Sequence, residues 1–293
     1  CDPHAARGVW IRYTVHKRPD ALPNSSLWVT LFDASSQGPR AHKETQPAPS
    51  SGGNWIGVGD SYMRSGEAAG AIDGAEWDLR FASDEPPLFH LPAGFLYSAP
   101  LPRTKLLSPV PGARFDGSLT VDGRPFSVNG WRGVIGHNWG AQHAERWIWL
   151  HGLTESGDWL DAAIGKVKLG PATTPWVASG ALFHGGRRER LGGPGRKLQV
   201  RETPERCDFM LSGRKLRVSG RVEAPRKDFV GWLYADPEGP EHHTVNCSVA
   251  NMHLTVERQG SAPVQLAVER GAAYELGMRE RDHGMPIQPF PDG

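Results

Sequence analysis

The sequence is poor in cysteine, has no long apolar run, and is dominated by neither sign of charge. Three cysteines among 293 residues, Cys1, Cys207 and Cys247, cannot close a disulfide framework, and no CxxC pair offers a zinc or redox site. That usage fits a reducing cytosol, so a cytoplasmic location is expected, while a chain that opens on Cys1 is compatible with a removed leader. No apolar stretch approaches the roughly 18 residues that a membrane span requires, so stable membrane insertion is not expected. Lys plus Arg number 33 against 32 Asp plus Glu, and a net charge of +1 sets up no field to draw in nucleic acid. Arg187, Arg188 and Arg190, set among glycines, read as a solvated turn.

Signature motifs are missing as well. No GxGxxG follows a strand and opens a helix, no GxSxG elbow is present, and no HExxH occurs, which removes the usual dinucleotide, serine-hydrolase and zincin readings. No cofactor and no metal site are therefore expected. The twelve histidines include the neighbours His242 and His243, but adjacent residues of a strand point to opposite faces and cannot easily share one ion.

Glycine, at 36 residues, and proline, at 25, punctuate the chain too often for a helical bundle and divide it into strand-length pieces. Residues 9–15 and 27–32 read as an opening hairpin. In the first of these, Trp10, Arg12 and Thr14 alternate with Ile11, Tyr13 and Val15, the period of a strand with two different faces. Residues 76–81 and 117–128, the latter with an Asp122-Gly123 turn, continue the meander. Further strands are expected at 146–153, 159–167, 176–183, 197–202, 207–212, 216–222, 229–234, 243–252 and 254–257. Loops are expected at 45–53, 84–92 and 98–112, and only 272–280 has a helical composition. So many closely spaced strands predict an all-β chain of barrels or sandwiches. At this length two domains are the default, divided at 1–143 and 144–293.

The densest chemistry lies in residues 130–152, GWRGVIGHNWGAQHAERWIWLHG. If 145–151 is extended, Glu145, Trp147, Trp149 and His151 share one face, and an acid, two indoles and an imidazole are costly to bury unless bonded or used. Gly133, Gly136 and Gly140 let the backbone bend around His137, Asn138 and Trp139, groups able to hold a polar handle or move a proton. Asp161 and Trp159 on the following strand extend the same set. Trp232 and Tyr234 read as core of the second half, and 279–282 as a solvated mixed-charge end.

The Gly-His-Asn-Trp-Gly of 136–140 resembles the signature of a family that includes carotenoid 1,2-hydratase, the AttH-like proteins and the decalin-forming Diels–Alderases. The openings at 2–14 and 26–33 and the AYELG of 273–277 are similar to it too, so the likeness spans nearly the whole chain. It implies two consecutive lipocalin-like antiparallel β-barrels. It further implies an apolar small-molecule substrate, an isoprenoid, polyene or polyketide, bound at the barrel junction and hydrated, cyclised or isomerised without a cofactor. Members of the family carry an acid before the signature histidine, where this chain has Gly136. His137 and Asn138 are then expected to orient the substrate, with Glu145 as the acid and Asp161 in reserve. Trp139, Trp147, Trp149, His151 and Trp159 would line the site. The alternative is a lipid or isoprenoid carrier without chemistry, acting as a monomer or homodimer; a carrier tolerates an apolar wall, whereas proton transfer needs charged groups on the Glu145 face.

Overall fold

A computed structural model describes residues 1–47, 53–239 and 241–290. The 45–53 loop therefore falls largely outside the described residues, and its first two members, Thr45 and Gln46, are in a strand. Among the described residues, the strands form three sheets and one small ribbon. The first sheet joins β1 (Arg7–His16), β2 (Asn24–Asp33) and β3 (Arg40–Gln46) in chain order.

The second sheet contains β4 (Ile56–Val58), β5 (Ser61–Arg64), β6 (Glu67–Ile72), β7 (Ala75–Ala82), β8 (Leu88–Phe89), β9 (Thr104–Val121) and β10 (Arg124–Gly140). Its order is β10-β9-β7-β6-β5-β4, with β8 paired to β9. Then come β11 (Arg146–Leu153), β12 (Trp159–Lys166), the ribbon β13 (Lys168–Leu169) and β14 (Ala172–Thr173), β15 (Val177–His184) and β16 (Arg187–Gly192). β17 (Leu198–Thr203), β18 (Arg206–Ser212), β19 (Leu216–Glu223), β20 (Val230–Tyr234), β21 (His242–Arg258) and β22 (Val264–Met278) complete the chain. The third sheet runs β16-β15-β12-β11-β22-β21-β19-β18-β17, with β20 paired to β21. A bridge between Leu191 and Gly213 brings β16 back toward β18 and nearly closes this sheet into a barrel.

Period-2 burial produces these elements. In β7, Ala75, Trp77, Leu79 and Phe81 are buried while every residue between them is exposed. β2 differs, because all residues from Ser25 to Phe32 are buried. Leu27, Val29 and Leu31 join a core with Trp77, Leu119 and Val121 from the second sheet. Trp28 and Phe32 join the core of the third sheet. The opening sheet is thus a wall between two cores, one side serving each barrel, and β1 follows it: Val9, Ile11 and Tyr13 pack on the first core and Trp10 on the second.

The all-β class and the double lipocalin-like barrel hold. Four elements are corrected, one being the 84–92 loop, which contains the short strand β8 at Leu88–Phe89. The 272–280 segment is not a helix but the end of β22, where Ala272, Tyr274, Leu276 and Met278 are buried on one face. Its Ala, Glu and Leu content hid a strand period, since tertiary burial overrides helix propensity. The 98–112 segment is a loop only to Arg103, after which β9 begins. The strands expected at 243–252 and 254–257 form the single strand β21. Among the described residues, no helix is long and apolar enough to cross a membrane.

Candidate functional site

The polar groups of interest gather on the face of the third sheet that turns away from its own apolar interior. The register His151↔Asp161, Leu153↔Trp159 and Trp149↔Glu275 places these side chains on one surface. The ladders Asn246↔Glu275, Thr244↔Gly277 and Tyr234↔His242 extend that surface across β21 and β20. The opposite face presents Ile148, Leu150, Leu160, Ala162, Tyr274 and Leu276 to the barrel core. Trp147, Trp149 and His151 share one face, while Glu145 precedes β11 and lies outside its ladders.

Asp161 sits at the first of two foci. It is wholly buried; the Ser108 hydroxyl donates to its Oδ2 at 2.5 Å and the Trp149 indole N–H to its Oδ1 at 3.1 Å. His90 Nε2 lies 3.1 Å from the same Ser108 hydroxyl and 3.9 Å from Asp161 Oδ2. His151 is buried, its ring parallel to Trp149 at 6.1 Å, and neither ring nitrogen has a hydrogen-bond partner of normal geometry. Burial pushes the His151 imidazole below its ordinary pKa, with Asp161 opposing, which keeps the ring neutral near pH 7. Trp159 stacks on Phe183 at 5.9 Å and packs with Leu88 as one wall.

The second focus lies further along the same face. Glu275 accepts from the Trp147 indole at 2.8 Å and from Asn246 Nδ2 at 3.1 Å. Beyond Trp147, His143 Nδ1 lies 2.6 Å from Asp236 Oδ1, and His242 is wholly buried. The opening sheet closes over this end, with the Arg12 guanidinium 3.9 Å above the Tyr234 ring and Trp28 edge-on to Trp232 at 5.0 Å. Trp232 and Tyr234, expected as core of the second half, are buried in the core cluster of the third sheet, where the opening sheet packs on them.

The structure brings Trp149, His151, Trp159 and Asp161 together, and separates the other expected residues from them. Glu145 forms an ion pair with Arg279 at 3.2 Å, so the 279–282 end is not merely solvated; Glu280 likewise holds Arg146 at 2.7 Å. His137 is exposed and stacks on Trp139 at 4.8 Å, which in turn stacks on Tyr97 at 5.7 Å. Asn138, opposite Leu106 in the ladder, is exposed and shares the face of Leu106 and Ser108, while His137, opposite Leu107, is on the other side. His242 and His243 do face opposite ways, but each meets another histidine, His243 Nδ1 lying 2.8 Å from His283 Nε2.

Sequence reasoning missed His90, Ser108, Glu275 and Asp236. His90 and Ser108 fall in segments whose prolines mark them as loops, and Glu275 was masked by the helical composition around it. Asp236 lies in a Pro-containing turn, where an Asp ordinarily caps the backbone.

No family model matches the sequence. A protein of Mycobacterium tuberculosis, described as uncharacterized in each of two strains, is 26% identical over 265 residues, covering 86% of this chain and 78% of its own length. Among solved structures, an AttH-type protein of Nitrosomonas europaea superposes with a TM-score of 0.57 at 13% identity, covering 93% of this chain and 86% of that one. Kievitone hydratase of Nectria haematococca superposes with a TM-score of 0.54 at 11% identity, covering 93% of this chain and 83% of its own. At such identities the likeness is one of fold, and function has to be argued from the site.

Proposed function

We propose that the protein is a cofactor-free hydratase that adds water to a carbon–carbon double bond of an apolar small molecule held between the two barrels. The observation that carries this reading is the buried Asp161 carboxyl, bonded to Ser108 and Trp149 and set directly across the ladder from a buried, neutral His151. Burying a carboxyl and an imidazole side by side costs free energy, a cost retained where the groups are used.

Hydration needs an acid for one alkene carbon and a base for the water that attacks the other. Asp161 delivers the proton, with Ser108 and His90 forming a hydrogen-bonded chain behind it. His151 takes a proton from the attacking water, and return of that proton to Asp161 closes the cycle with one water added. Trp149, whose indole is bonded to Asp161, presents a π face to the developing cation. Asn138 holds a polar handle, and the exposed His137–Trp139–Tyr97 stack forms a rim. The acid falls to Asp161 rather than Glu145 because the Glu145 carboxylate is paired with Arg279 and stands apart from the Asp161 cluster. The charged and polar character of this face favours chemistry over passive carriage.

The test is incubation with polyenes, isoprenoids and prenylated phenols in ¹⁸O-labelled water, followed by mass spectrometry. The wild type should give a product heavier by one labelled water. Asp161→Asn should lower the rate by about 100-fold or more, the usual worth of a general acid. Equal turnover by Asp161→Asn would remove Asp161 from the mechanism, and tryptophan quenching by a compound that is never hydrated would point to a carrier.

A further inference from the structure

The second focus has no part in that chemistry, and its geometry is unlike an ordinary hydrogen-bonded cluster. His143 lies in the segment that leads from β10 to β11, Asp236 in the turn after β20, and His242 at the start of β21. The backbone N–H of His143 and its ring Nδ1 both approach Asp236 Oδ1, at 2.7 and 2.6 Å. The other carboxylate oxygen, Oδ2, is buried without a partner. Facing it at 3.9 Å is Nδ1 of His242, a residue with no exposed surface and no partner at either ring nitrogen.

We propose that His143, Asp236 and His242 bind one divalent first-row transition cation of the zinc type. One ligand atom from each residue lies within 4.8 Å of the others. Ligands about 2.0–2.2 Å from a tetrahedral ion stand roughly 3.3–3.5 Å apart, so the most widely spaced of the three ligand atoms need to close in by up to roughly 1.5 Å. Two imidazoles and one carboxylate select zinc, cobalt or iron over calcium and magnesium, which prefer all-oxygen shells. The ion satisfies both groups that are otherwise buried unpaired. Trp147 fixes the two rings, stacking on His143 at 5.1 Å and standing edge-on to His242 at 5.0 Å. Arg279, whose positive charge acts on His242, is neutralised by Glu145 at 3.2 Å. His143 keeps 18% of its side chain exposed, which gives the ion an entry and leaves a position for water. Bound there, the ion fastens the crossover between the barrels to the third sheet.

The test is titration of the full chain, stripped with a chelator, by Co²⁺ as an optical reporter. The expected result is a visible ligand-field spectrum that saturates at one Co²⁺ per chain and is displaced by Zn²⁺, together with a melting temperature raised by excess Zn²⁺. His143→Gln and His242→Gln, confirmed as folded by circular dichroism, should each weaken Co²⁺ at least 10-fold, while Asp161→Asn should leave it unchanged. No stoichiometric spectrum at micromolar Co²⁺ in the wild type would overturn the site, as would equal affinity in either folded histidine variant. The titration is independent of hydration and reads the ion whether or not the proposed reaction exists.

Discussion

At the scale of single residues, environment decides which carboxylate is useful. Glu145 is about three-quarters buried yet satisfied by Arg279, with a side-chain exposure of 25% against 27% for its partner. Such a pair is worth less than about 1 kcal/mol. Glu145→Gln should therefore move the urea midpoint only slightly and leave hydration within a few-fold of wild type; a loss as large as that of Asp161→Asn would return the acid role to Glu145. His151 gives a prediction of opposite character. Its folded-state pKa lies below the unfolded value near 6.5, so as pH falls the unfolded chain takes the proton first. The stability it contributes is present above about pH 6.5 and is lost as the pH falls below it. Melting temperatures from pH 7.5 to 5 should fall less steeply for His151→Gln than for the wild type.

At the scale of elements, β11 and β22 show how a ladder builds a site. Trp147 lies across from Gly277, and a Cβ at that glycine would come within 2.1 Å of the indole. The absent side chain is what lets the ring lie flat over the strand and reach Glu275. Gly277→Ala should cost about 1–3 kcal/mol through overpacking and release the indole from its carboxylate. Denaturant titration and a shift in tryptophan emission would register both effects, and an unshifted midpoint would show that the strand accommodates a side chain there. The same pair explains why the 272–280 segment misleads as a string of letters. Its Ala, Tyr, Leu and Met at every second position form a strand face, whereas its composition alone favours a helix.

At the scale of the molecule, the opening sheet couples the two barrels. Trp28 is wholly buried between them, donates its indole N–H to Thr14 at 3.1 Å, and lies against Trp232 and Tyr234. Trp28→Ala should cost about 3–5 kcal/mol, the usual range for removing a buried aromatic ring. Because β2 serves both cores, the wild type should unfold in one transition by circular dichroism and fluorescence, and the variant should separate into two. Coincident transitions in the variant would mean that the barrels are joined chiefly by other contacts. On this reading the division near His143 marks where the chain crosses from one barrel to the next, and is proposed as the domain boundary.

The sequence by itself determined the all-β class, the positions of most strands, and the common face of Trp147, Trp149 and His151, because alternation along a strand is a local property written in adjacent letters. It also pointed to Asp161 and Trp159, which stand directly across one ladder. Only the tertiary structure decided that Asp161 is buried beside Ser108 and His90, that Glu145 is taken by Arg279, and that His143, Asp236 and His242 meet. These partners are separated by between 53 and 134 residues where their contacts span the chain, as with Ser108–Asp161 and Glu145–Arg279. Pairing at that distance is set by register and by the wall of β1 to β3 between two cores, and no local pattern encodes it.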